Sequence, residues 1–168
     1  MTQAITRVLL ITPPTSRTGR CGLSTVDWAG LASSLRRAGM AAEVYDASGP
    51  GRDLESVRVH IEHAWPHVVI STSDGATAAG ARSVLGSARQ IVPGVVTVLV
   101  ASRSANEQGG AERGAAPDLD LRGAADQTVV ESVVRWRDAH ANSAARTSGR
   151  GHHRIRALFA AWLLLVAA

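Results

Sequence analysis

Short apolar runs alternate with stretches of helical periodicity along most of the chain. Val8-Leu9-Leu10-Ile11 is the first run, and four consecutive apolar residues read as a strand buried on both faces, over about residues 6–12. Pro13 and Pro14 stop it, because neither can donate to a ladder. Leu23, Val26, Leu31 and Leu35 recur at spacings of three to five and predict a helix over 24–38, with Gly39 as its C-terminal cap. Ala42 to Asp46 is the second strand, and Leu54, Val57, Ile61 and Ala64 mark a helix over 53–64 that stops at Pro66. His67 to Ser71 is the third strand, opening into Thr72-Ser73-Asp74-Gly75. The next helix, 76–91, is rich in Ala and Gly, which lets its backbone lie close to a ligand or, equally well, to the sheet. Pro93-Gly94 turns the chain into strand Val95–Val100. A polar segment, a short strand over 119–121 and a helix over 126–140 complete the pattern.

This alternation implies an α/β fold with a five-stranded parallel sheet and helices on both faces. Right-handed crossovers favour the Rossmann/flavodoxin-like strand order 2-1-3-4-5. The switch point then lies between strands one and three, rimmed by Thr12 to Arg20 and by Ser71 to Gly75. Ligands of such sheets sit beyond the carboxyl ends of the strands. Residues 1–141 form this domain, 142–154 read as a linker, and 155–168 are a short apolar segment. Its run 157–168 is shorter than the roughly 20 residues a membrane-spanning helix needs, so weak membrane contact by the tail is the most it suggests.

Charge narrows the partners. All 18 basic residues are arginine, which excludes a Walker A or Schiff-base lysine. Arg146, Arg150, Arg154 and Arg156 carry the whole net charge of +4, so the body of the domain is balanced. A balanced body argues against a nucleic-acid interface. Cys21 is the single cysteine, which rules out an intrachain disulfide, a thiolate metal cage and an iron–sulfur cluster. The first residues lack a signal-peptide pattern, and a cytoplasmic setting is the expectation.

Several familiar chemistries fail on the residues. His60, His63 and His67 have no carboxylate spaced to complete a metal site, and no metal is expected. A receiver-type phosphoacceptor needs acidic residues after strand one and a lysine after strand five. A flavin phosphate nest is interrupted by Pro13-Pro14. Ser71, Thr72 and Ser73 have no histidine placed to activate a nucleophile and no G-x-S-x-G elbow. Asp46 sits where a ribose-binding acid would, but no G-x-G-x-x-G follows strand one. No catalytic residue emerges.

Val8-Leu9-Leu10-Ile11-Thr12-Pro13-Pro14, Gly22-Leu23, Leu31 to Gly39 (LASSLRRAG) and Val44-Tyr45-Asp46-Ala47 resemble the opening of the cobalamin-binding domain of cobalamin-dependent radical SAM enzymes. That opening usually reads VLLINPP, GL, LAxxLRxxG and VxIxDA. Pro66 to Ser73 is similar to the family's PDVVGIS(T/S), and Asp118 to Gly123 to its D-x-V-V-x-G, so the likeness spans about residues 6–140. The chain departs from the family after strand four, with Ala101-Ser102-Arg103-Ser104 in place of Gly-Gly. It departs again after strand five, with Gly123-Ala124-Ala125-Asp126 in place of G-E-G-E. It has no D-x-H-x-x-G lower-ligand histidine and no C-x-x-x-C-x-x-C cluster. The resemblance implies a cobalamin (vitamin B12) module, base-off, without catalysis of its own, serving or derived from a separate radical SAM enzyme. It implies a groove lined by Thr12, Pro13, Ser71, Thr72, Ser73, Gly75, Ala101, Ser102 and Gly123. The alternative is a degenerate or truncated relative that binds no cofactor and acts as a protein-interaction domain.

Overall fold

The computed structural model describes residues 5–14, 26–73, 77–101, 117–121 and 126–139. Strands β1 (Arg7–Thr12), β2 (Ala41–Asp46), β3 (Val68–Ser73), β4 (Val96–Ala101) and β5 (Leu119–Asp120) form one sheet in the order β2-β1-β3-β4-β5. Every neighbouring pair is parallel. Helices α1 (Trp28–Arg37), α2 (Leu54–Ala64) and α3 (Ala78–Ile91) make the crossovers, and α4 covers 126–139. The chain divides into two compact units, Met1–Glu131 and Ser132–Ala168. The first holds the sheet. Of the second the structure describes only helical residues 132–139.

The apolar runs are buried on both faces because both faces are covered. Leu9, Ile11, Val69 and Leu99 pack with Val57 and Ile61 of α2 and with Ala81, Val84, Leu85 and Ala88 of α3. Val8, Leu10, Val68, Ile70 and Val98 point the other way and are also buried, as are Leu31 and Leu35 of α1. Each fully buried Leu or Ile contributes about 1.5–3 kcal/mol relative to exposure. No helix among the described residues is long and apolar enough to cross a membrane.

Local chemistry sets the element ends. α1 starts later than the apolar stripe suggests, because the Asp27 carboxylate caps it by accepting the Gly30 N–H at 3.0 Å. A side chain at Gly30 would collide with that cap, its Cβ falling 2.4 Å from Asp27 Oδ2. α1 ends in a Schellman turn: Met40 N–H donates to Leu35 O and Gly39 N–H to Arg36 O, with Gly39 at φ +81°. α2 opens with a reciprocal box between Asp53 and Ser56 and closes on Trp65, a left-handed residue at φ 44°. The other departure from the sequence reading is β3. It continues through Thr72 and Ser73, where β4 runs alongside and pairs Ser73 with Ala101.

β5 is only two residues long and is held by side chains as much as by its ladder. Asp118, just before it, accepts from Thr97 N–H and Thr97 Oγ1, both at 2.8 Å, and pairs with Arg89 of α3 at 2.9 Å. Burial alone would raise the Asp118 carboxyl. The Thr97 donors and the Arg89 guanidinium outweigh it and hold the group below its ordinary value.

Candidate functional site

The strand order places the carboxyl ends of β1 and β3 side by side at the switch point. β1 is followed in the chain by α1 and β2, and β3 by α3 and β4. Thr12 ends β1, and Thr72 and Ser73 end β3. Ser73 lies beside Ala101, the last residue of β4. Thr12, Ser71, Thr72, Ser73 and Ala101 are therefore brought to one edge. Gly75, Ser102 and Gly123 lie outside the described residues, as does Cys21.

The hydroxyls at this edge have different fates. Ser71 is fully buried and its Oγ donates to the Ile11 carbonyl at 3.1 Å, tying β3 to β1. That hydroxyl is part of the sheet. Thr72 and Ser73 are also buried, with 7% and 6% of their surface exposed, and Thr12 is half-buried. Pro13 is buried beneath the turn.

The turn itself is tightly seated. A Cβ on Gly80, near the start of α3, would lie 2.9 Å from the Pro14 carbonyl oxygen and 3.4 Å from Pro13 Cβ. Only glycine lets α3 approach the turn this closely. The small-residue stripe of α3 thus serves packing at Gly80.

Asp46, at the end of β2 beside Thr12, is committed locally. Its Oδ1 accepts from Ser48 Oγ at 2.7 Å and Ser48 N–H at 3.0 Å. The Ser48 hydroxyl and then its N–H lower the carboxyl, burial opposes them, and the Arg52 charge adds to the lowering. Arg52 also donates to the Asp46 carbonyl and lies over the Tyr45 ring. Ser48 thus ties the Asp46 carboxylate to its own turn through Oδ1.

The three histidines singled out in the sequence are distributed elsewhere. His60 stacks on Tyr45, its Nε2 2.9 Å from Glu43 Oε1 without in-line hydrogen-bond geometry. His63 Nδ1 contacts the Val59 carbonyl at 2.7 Å. His67 Nδ1 accepts the Arg7 N–H at 2.9 Å, while His67 N–H donates to Arg7 O, a two-way clasp at the amino ends of β1 and β3. Among the described residues, no three His, Cys, Asp or Glu side chains gather into a metal site.

Hydroxyl donors on a flat strand edge suit a ligand that presents amide and phosphodiester oxygens. Such oxygens are found on the side chains and nucleotide tail of a corrinoid. Among the described residues this edge holds no histidine, because those are on α2 and at the amino end of β3. No protein-family model matches the chain, and no curated protein matches it. Sequence reasoning allowed for close packing at Gly80 but missed Asp118 and His67 as structural fasteners. The partners of those two are 21 and 60 positions away, so no local pattern signals them.

Proposed function

We propose that the chain is a corrinoid-binding module of flavodoxin-like topology, with no catalysis of its own, working in the cytoplasm beside a separate radical SAM enzyme. The observation that carries this reading is the hydroxyl-lined switch point: Thr12, Thr72 and Ser73 at the adjoining ends of β1 and β3. The sequence resemblance over 6–140 supplies the ligand class. A bound corrinoid would supply the cobalt-centred chemistry. This chain would bind its tail through Thr12, Thr72 and Ser73 and orient the ring.

The close seating of α3 on Pro14 favours a second reading, an interaction domain that has lost its cofactor. One experiment separates them. The purified protein is mixed with hydroxocobalamin, freed of excess ligand by gel filtration, and its visible spectrum recorded. A retained, base-off corrin band that weakens in a Thr12→Ala/Ser73→Ala double variant supports the module. A colourless protein overturns it and leaves the interaction domain.

A further inference from the structure

The amino ends of β1 and β2, opposite the hydroxyl-lined edge, border an open cavity of about 400 Å³. That volume is within the range that accommodates small-molecule ligands, about 300–1,000 Å³. Its charged lining is Arg7, Arg36 and Glu43, and Ala42, Ala64 and Pro66 form part of the apolar wall.

Arg36 is already fixed in place. Its Nε and one terminal nitrogen donate to the Ala42 carbonyl at 3.0 and 2.6 Å. A guanidinium has five N–H donors, so most remain for a ligand. Arg7 uses its backbone N–H on His67, and its side chain has no bonding partner among the described residues. Neither guanidinium lies within ion-pair distance of a described carboxylate. Glu43, the one acid in the lining, has its Oε1 beside His60. Two guanidinium-bearing residues thus line one recess, and among the described residues no carboxylate is within ion-pair distance of either. An anion entering the recess meets positive charge from both residues. Guanidinia match the oxygens of a phosphate in pairs, which a chloride ion cannot exploit.

We propose that this cavity is a binding site for a phosphate group, either the free ion or the phosphate of a small monoester, held between Arg7 and Arg36. The site is independent of the corrinoid reading, which concerns the other end of the sheet.

The test uses the full chain, labelled with ¹⁵N, at pH 7.5. Inorganic phosphate and glycerol phosphate are each titrated against sodium chloride of equal ionic strength. The expected result is saturable amide shifts centred on Ala42, Glu43 and Ala64 that chloride does not produce. Arg7→Gln should weaken binding at least five-fold while leaving the rest of the spectrum in place. Glu43→Gln should tighten it several-fold, a gain that damage to the fold would not give. Tighter binding of glycerol phosphate identifies a monoester as the ligand, and the opposite order identifies the free ion. Shifts that fail to saturate, that chloride reproduces, or that Arg7→Gln leaves unchanged overturn the site.

Discussion

Alanine at Gly80 and alanine at Gly86 are the same substitution in the same helix, and the structure gives them opposite consequences. In a helix interior Ala is favoured over Gly by about 0.8–1.0 kcal/mol. Around Gly86 a new Cβ meets nothing within 4 Å, so Gly86→Ala should keep most of that gain. Around Gly80 the Cβ would stand 2.9 Å from the Pro14 carbonyl oxygen. The obstacle is backbone, and two consecutive prolines fix its φ angles, so it yields poorly. Overpacking of this kind costs about 1–3 kcal/mol. Gly80→Ala should therefore lose about 1 kcal/mol net, and the two variants should differ by about 1–3 kcal/mol. With a urea dependence of about 1–3 kcal/mol/M, the midpoint falls by roughly 0.5 M for Gly80→Ala and rises by a few tenths for Gly86→Ala. Because the intrinsic helix preference is common to both, the difference between the midpoints isolates the contact with the turn. If Gly80→Ala proves as stable as Gly86→Ala, α3 does not sit on Pro14 as described.

Asp118→Ala removes the acceptor of the fully buried Thr97 N–H and hydroxyl together with the Arg89 pair. Charge-assisted bonds contribute about 1.5–3 kcal/mol each but do not add, and the half-exposed site admits water, so the loss should be about 2 kcal/mol by urea unfolding. The Asp118 carboxyl is lower in the fold than its ordinary 3.8. Its stabilisation is thus complete above that value and disappears as pH falls through the folded one, and Asp118→Asn should flatten the acid limb of stability against pH. His67 is held below its ordinary 6.5 by burial and then by the Arg7 charge. Only its neutral Nδ1 can accept the Arg7 N–H, so its contribution is full above about pH 6.5 and is lost as pH falls through the folded value. The difference between wild type and His67→Ala should shrink on acidification, and a difference that grows would refute the clasp.

The fold was legible because its apolar runs are contiguous. A run such as Val8 to Ile11 has one reading, a strand covered on both sides, and alternation with helical stripes then leaves few topologies. Strand order and most element bounds followed to within a few residues. Two boundaries did not. Asp27 begins α1 through a carboxylate cap that competes with the earlier apolar stripe. Thr72 and Ser73 belong to β3 because β4 happens to extend beside them, and their polarity alone suggests a loop. The candidate edge was legible as a place, and Thr12, Thr72 and Ser73 do meet there. The role of each hydroxyl was not. Ser71 is tied to the Ile11 carbonyl, an acceptor sixty residues away that no local pattern signals.

α3 touches the sheet's framework at both of its ends. Its first turn rests on Pro14 beyond β1, and Arg89 in its last turn grips Asp118 ahead of β5. With fourteen residues it is a strut about 21 Å long, braced against the centre of the sheet at one end and its far edge at the other. Load applied to the ligand-facing rim would therefore be borne partly at β5, whose two-residue ladder is the weakest seam. In hydrogen exchange, the Asp118 and Leu121 amides should open in step with the amides of α3 and ahead of those in β1 and β3.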